Sequence, residues 1–412
     1  MGRALVRSTL TGLAAAALLA ACEGSPSDPG TLTELPRPLT DAERALVGAG
    51  NQFALGLFRQ VGGQGAENVF ISPLSASMAL GMTMNGARGQ TLDEMRATLG
   101  FGSLAMADVN GSYRSLIELL LGLDRGVDVR LANSVWYRRE FPFETSFLET
   151  CRTYFGAKAA GLDFGSPAAV DSINRWASQA TSGRIDKIVE KIDGDDIMFL
   201  VNALYFKGSW RAAFDPAQTT QAPFHGADGV DRTVPLMVRG GNYRHVWRPE
   251  YQAVDLPYGN GAFVMTVVLP REGHGVDALV GSLDAARWQE ITAALDGVQE
   301  TEMSVFLPRF RVTYEKTLND ALKALGMPLA FTDAADFTAL SPAGGVYVSE
   351  VLQKSFVEVN EEGTEAAAVT SVNVGLVSVP PSFRADRPFV FAIRERFSGT
   401  ILFIGKIAKL GD

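Results

Sequence analysis

Lys354-Ser355-Phe356-Val357-Glu358-Val359-Asn360-Glu361-Glu362-Gly363-Thr364-Glu365-Ala366-Ala367-Ala368-Val369-Thr370 is the stretch on which the reading of this chain turns. Its first half carries Phe356, Val357 and Val359, the β-branched and aromatic residues that strands favour. Glu362-Gly363 then supplies a turn, and small side chains come next where bulky apolar ones normally resume. Past the turn, Thr364, Ala366, Ala368, Thr370, Val372, Val374 and Leu376 share one parity. Glu365, Ala367, Ser371, Asn373 and Gly375 share the other, with Val369 as the exception. Period-two alternation belongs to a half-buried strand. Pro380-Pro381 nevertheless ends the run, which an ordinary central strand does not tolerate. The segment reads as an exposed loop whose composition prepares it to become a strand. The competing reading is an Ala-rich flexible linker, and the persistence of the parity to Leu376 argues against it.

Other segments extend the pattern. Asn68-Val69-Phe70-Ile71-Ser72-Pro73-Leu74-Ser75, Asn202-Ala203-Leu204-Tyr205-Phe206-Lys207-Gly208-Ser209-Trp210, Leu307-Pro308-Arg309-Phe310 and Asp386-Arg387-Pro388-Phe389-Val390-Phe391 lie in that order along the chain. Together with Lys354 to Thr370 they resemble the serpins, from about residue 41 to the end. The resemblance implies an α+β chain with the serpin fold: three β-sheets, eight or nine helices and an exposed reactive-centre loop at about 361–382. It also implies a serine protease inhibitor that acts as a suicide substrate. A protease cuts the loop and is held as the acyl-enzyme, while the freed arm enters the central sheet as a new strand.

The resemblance assigns roles residue by residue. Glu361, Glu362, Gly363, Thr364, Glu365, Ala366, Ala367, Ala368, Val369 and Thr370 match the hinge. Counting from Glu361 sets the reactive bond at Val377-Ser378, and a slip of one residue substitutes Leu376. Val377 suits the shallow pocket of an elastase-like protease and Leu376 a chymotrypsin-like one; the absence of Lys and Arg from Val369 to Ser382 disfavours trypsin-like targets. Ser72, Ser75 and Asn202 resemble polar residues beneath the point where the sheet parts. Trp210 and Glu361 match the region where insertion begins. Gln353 stands where serpins commonly have His, and Gln both donates and accepts, so a network there still forms. For all of these the plain alternative is buried packing, and in the uncut state the two readings coincide. A second class remains open, a non-inhibitory serpin-fold binding or chaperone protein. Members of that kind usually carry charged or bulky hinge residues, which the inward parity from Thr364 to Ala368 lacks.

Composition bounds the rest. The 412 residues are 47% hydrophobic, enough for a sizeable core, and no repeat or composition break divides residues 41–412, so they read as one domain. A net charge of −9 with no Lys/Arg stripe excludes nucleic acid as partner. Arg3 and Arg7 precede the apolar run Leu10 to Ala21, a signal peptide over residues 1–21. Its end, Leu19-Ala20-Ala21-Cys22, resembles the bacterial lipoprotein box, with Cys22 lipidated; an ordinary small-residue cleavage site is the alternative. Residues 22–40 then serve as a flexible tether, rich in Gly, Ser, Pro and Thr. These features predict an exported monomer, lipid-anchored at the cell envelope on the outer membrane or cell surface, and otherwise extracellular. Cys151 is then the only other cysteine, so no intrachain disulfide forms.

Catalytic patterns are absent. The histidines are His225, His245 and His274, and no His-Glu-x-x-His, Cys-x-x-Cys, phosphate loop or Gly-x-Ser-x-Gly elbow occurs. No cofactor and no metal are expected, and Met78, Met82 and Met84 read as core packing. Among the elements, Thr40 to Glu43 reads as a capping box and Thr91 as the cap of a third helix. Single helices are predicted near Val276–Leu295 and Tyr314–Leu325, and one long strand over Val346–Val359.

Overall fold

A computed structural model describes residues 2, 30–63, 65–194, 196–364 and 381–411. The body of the molecule begins at Thr31. Leu32, Leu35 and Leu39 pack against its core, and Leu32 N donates to Asn260 O at 2.9 Å, so the last part of the predicted tether is docked.

Helix α1 (Asp41–Gly62) opens on the predicted capping box: Thr40 accepts from Glu43 N, and the Glu43 carboxylate accepts from Thr40 N at 2.7 Å. Strand β1 (Val69–Ile71) leads into α2 (Pro73–Met84), capped by Ser72 and started by Pro73. Met78, Met82 and Met84 are buried in the core. Helix α3 (Gly89–Thr98) begins before Thr91, which is not its cap; the Thr91 hydroxyl accepts from Asp336 N instead. Helix α4 (Met106–Gly122) was not predicted, because nothing caps it at Ala105, although Val109, Tyr113, Leu116 and Leu120 sit at helical spacing.

Strand β2 (Val127–Arg138), α5 (Thr145–Phe155), β3 (Lys158–Leu162), α6 (Pro167–Ala180) and β4 (Met198–Ser209) come next. They lead to β5 (Thr220–His225), β6 (Asp231–Tyr243), β7 (His245–Trp247), β8 (Tyr251–Pro257) and β9 (Phe263–Pro270), with the Gly259-Asn260-Gly261 turn joining the last two. Two helices, α7 (Val276–Ser282) and α8 (Ala285–Asp296), replace the single one predicted; Asp284 interrupts by accepting from Arg287 N. After β10 (Thr301–Pro308), strand β11 (Phe310–Thr317) runs through residues predicted as helix, leaving only Asn319–Leu325 for α9. The ladder explains both this and the shorter β12 (Leu352–Asn360). Pairing runs from Phe310 against Val359 to Thr317 against Leu352, so residues 346–351 have no strand partner there. Strands β13 (Gly363–Thr364), β14 (Ser382–Arg384), β15 (Phe389–Glu395) and β16 (Ile401–Ile407) complete the chain.

Nine α-helices and three sheets among the described residues match the implied architecture. One sheet runs β1-β16-β15-β9-β8-β7, a second β14-β10-β6-β5, and the central one β11-β12-β13-β4-β2-β3. The central sheet is covered on both faces near β4. Phe206 joins the main core, while Val201 lies with Trp136, Ile173 and Ala177 in a second apolar cluster beneath α6. This two-sided cover accounts for the nearly continuous apolar run of β4, which only Asn202 interrupts between Met198 and Phe206.

Candidate functional site

The site starts where β12 ends. Asn360 Oδ1 accepts from Glu362 N at 3.0 Å and Gly363 N at 3.2 Å, closing a turn that reverses the chain. The returning β13 pairs antiparallel with both long neighbours: Thr364 lies opposite Val359 of β12 and Gly208 of β4, and Gly363 opposite Asn360 and Ser209. Among the described residues β12 and β4 join only through these two residues. Gly363 has φ +150°, and a Cβ there would meet Gly208 O at 2.1 Å and Ser209 Cα at 2.7 Å, so only glycine fits. Thr364 is buried, its hydroxyl 2.8 Å from that of Tyr258.

Trp210 and Tyr258 form the roof of this entry point, stacked with ring centroids 4.5 Å apart. Trp210 Nε1 donates to Asn360 O and its backbone N to Glu362 O, both at 2.9 Å. Glu361 is buried and accepts from Arg309 Nε at 2.7 and 2.6 Å and from Thr219 Oγ1. Burial alone raises the pKa of its carboxyl, but the hydrogen bonds from Arg309 and Thr219 outweigh that and hold it below the usual range. Phe214 N donates to Glu361 O, fixing the backbone as well.

Farther down the same strands lies a polar cluster. Gln353 accepts from Ser72 N at 3.3 Å and donates to Ser72 O at 2.7 Å, using both halves of its amide. Ser75 Oγ donates to Asn202 Oδ1, and Asn202 Nδ2 to Asn133 Oδ1. Ser355 Oγ donates to Phe70 O at 2.8 Å. The core-facing residues of β12 from Gln353 to Val359 are buried, whereas Leu200, Asn202 and Leu204 along β4 are only half-buried.

The predicted residues Ser72, Ser75, Asn202 and Gln353 meet in one cluster, and Trp210, Glu361, Glu362, Gly363 and Thr364 in another. Sequence reasoning missed Tyr258, Arg309, Thr219, Asn133 and Ser355. Asn133 was findable, since it shares the inward parity of Val127, Val129, Leu131 and Val135, where a polar residue is out of place. Glu365 to Thr370, Leu376, Val377, Ser378 and Cys22 lie outside the described residues. His225 has a partner the sequence did not suggest: its Nδ1 lies 2.8 Å from Asp231 across an exposed hairpin. Among the described residues no group of acidic, His or Cys side chains is placed to hold a metal ion.

A family model described as "Serpin (serine protease inhibitor)" matches residues 48–410. The chain belongs to the serpin family. Among relatives of this serpin, the leukocyte elastase inhibitor of Sus scrofa is 35% identical over 377 residues, covering 88% of this chain and 99% of that one. The native-state structure of the thermophilic serpin tengpin superposes with a TM-score of 0.81 at 30% identity, covering 92% of this chain and 96% of tengpin. Human thyroxine-binding globulin, solved with its hormone, superposes equally closely, with a TM-score of 0.82 at 26% identity over 90% of this chain and 100% of that one. The serpin fold therefore houses thyroxine binding as well as protease inhibition.

Proposed function

We propose that this serpin is an inhibitor that traps serine proteases by inserting its cut arm between β12 and β4. The observation that carries the reading is the short strand Gly363–Thr364, already threaded between those two neighbours. Its register sets the neighbours of every later residue in the arm. Each further pair of residues moves one rung down, so an inserted arm sets Ala366 beside Val357 and Phe206, Ala368 beside Ser355 and Leu204, and Thr370 beside Gln353 and Asn202. Small inward side chains suit the packed rungs, where bulkier ones would clash. The threonine arrives at the polar cluster, where its hydroxyl finds partners. A strand of about a dozen residues with one apolar face gains on the order of 10–20 kcal/mol, against a typical fold stability of ~5–15 kcal/mol. That gain is enough to drag a tethered protease and strand its acyl bond.

Proteolysis at Val377-Ser378 by an elastase-like enzyme, with Leu376 as the chymotrypsin-like fallback, completes the reading. Members that act as carriers show that the fold alone does not decide; the small inward residues of this hinge favour inhibition. Anchoring through Cys22 at the envelope is inferred from the N-terminal pattern and is checked by loss of palmitate labelling in Cys22→Ser. The central test is incubation with elastase and then denaturing gel electrophoresis. A heat-stable band at the summed mass supports trapping; cleavage without that band, and without a rise in melting temperature, refutes it.

A further inference from the structure

Residues 31–40, which the sequence assigns to the tether, are held on the body from one end to the other. Arg211 donates to Thr31 Oγ1, Leu32 N donates to Asn260 O at 2.9 Å, and Leu32, Leu35 and Leu39 pack against the core. Arg37 then pairs with Glu43 at 2.7 Å and donates to Ser115 Oγ of α4 at 2.7 Å. Asn260 is itself fixed, donating through its backbone N to Asp124 at 2.6 Å and through Nδ2 to Leu123 O at 2.9 Å. The first of these contacts lies beside both roots of the reactive loop. Arg211 follows Trp210, whose Nε1 and N hold Asn360 O and Glu362 O at the upstream root. Ala212 O accepts from Arg239 at 2.6 Å, and Arg239 lies opposite Val305 of β10, which in turn pairs with Phe383 of β14 at the downstream root. Thr31 is thus fastened where the loop begins and ends.

Resting on the inhibitory reading and on lipidation of Cys22, we propose that this docking keeps the reactive loop close to the membrane, and that the partner it fits is a serine protease fixed to the same surface. Chain length carries the argument. Eight residues, 23–30, separate Cys22 from Thr31, and fully extended they reach only ~30 Å. All eighteen residues up to Thr40 would reach ~65 Å if none were docked. A chain of this size folds into a body ~55 Å across. An undocked tether therefore lets either pole of the body meet the bilayer, whereas the docked one keeps the loop roots within ~30 Å of it. The reactive bond follows, because Val377-Ser378 stands four residues before Ser382 and so within ~15 Å of its downstream root. The far pole is marked by α9, which begins past the end of β11, ~25 Å along the strand from the rung of Phe310 and Val359. A protease diffusing in bulk gains nothing from this arrangement. One held on the bilayer meets the loop at its own height, at a raised effective concentration.

The test uses the full lipidated chain in phosphatidylethanolamine/phosphatidylglycerol vesicles that carry an energy acceptor on their headgroups. A donor dye is placed at Gln218→Cys, an exposed site beside Thr219 and Glu361, or at Asp320→Cys on α9, with Cys151 buried and unlabelled. Stronger transfer from position 218 than from position 320 is expected. A spacer of about twenty Gly and Ser residues between Gly30 and Thr31 leaves every docking contact in place but extends the reach to ~100 Å, and should erase the difference. Trapping is then timed with elastase coupled to the same vesicles and with elastase free in solution. The spacer should slow the first by about threefold and leave the second unchanged. Equal transfer from the two positions, stronger transfer from position 320, or a coupled-elastase rate that ignores the spacer overturns the proposal. The two premises fail visibly and separately: no palmitate on wild type removes the anchor, and no heat-stable band with free elastase removes the inhibitory reading. Either takes the membrane-facing loop with it.

Discussion

Gly363→Ala isolates the backbone argument at the entry point, because it adds one methyl group and alters no charge. With β13 in place that methyl sits 2.1 Å from Gly208 O and 2.7 Å from Ser209 Cα. Both are main-chain atoms of β4, in the interior of the central sheet, so neither can swing aside as a side-chain tip would. Holding a non-glycine residue in this conformation costs roughly 1–3 kcal/mol before any contact is counted. The cheaper escape is expulsion of the two-residue strand, which forfeits its ladder bonds and the Thr364–Tyr258 hydrogen bond, at ~0.5–1.5 kcal/mol each. The cost to the uncut fold is therefore capped at about 2–5 kcal/mol, a drop of several °C in melting temperature. The effect on trapping is larger in kind, since every later residue of the arm must enter through the blocked rung. The assay pairs thermal unfolding of the uncut variant with the elastase gel: the melting point falls, the stable complex fades, and cleaved inhibitor accumulates. If Gly363→Ala melts and traps like wild type, the arm does not enter by this register, and the proposed insertion is wrong.

Thr364→Arg places a charge at a buried rung facing Tyr258 with no counter-ion, so this variant is expected to be cleaved rather than trap, shown by a rise in moles of inhibitor consumed per protease inactivated. Val377→Arg should transfer inhibition from elastase to trypsin, read from second-order rate constants; retention of elastase preference would move the reactive bond elsewhere. The hydrogen bond from Arg37, helped by Ser115 and the Thr40 amide, holds the Glu43 carboxyl at about 2 despite burial. A depressed carboxyl stabilises the fold above its unfolded value near 4.5 and loses that contribution as pH falls towards 2. Because Arg37 is 38% exposed, Glu43→Gln is expected to cost only about 1–2 kcal/mol at pH 7. The gap in urea midpoint should narrow as pH falls from about 4.5 towards 2, whereas a constant gap would count against the ion pair. Burial pushes the Cys151 thiol up to about 12, so a thiol reagent at pH 8 should label it only after unfolding.

The sequence by itself determined the family and the character of the arm, because both are local signals. The alternation past Gly363, the capping box at Thr40 and the Ser72-Pro73 helix start each involve residues a few positions apart; the capping box and the helix start formed as read. Gln353 was legible as a donor and acceptor, though its partner was not, since Ser72 lies far away in sequence. Tertiary structure decided the rest by supplying or withholding partners. Residues 346–351 carry strand-like side chains but lie beyond the end of the β11 ladder, so they form no strand. Tyr314 to Thr317 fit a helical pattern yet pair with β12, where the edge of a sheet outweighs helix propensity. Asp284 splits a helix because its carboxylate caps the next one. Arg309 and Tyr258 sit in segments noticed only as family markers or hairpin flanks. Their roles against Glu361 and Thr364 exist only once β4, β8 and β12 converge. The need for glycine at 363 belongs to the same class: the turn was readable from the sequence, but the carbonyl of Gly208 that forbids any other residue comes from a strand more than a hundred positions earlier.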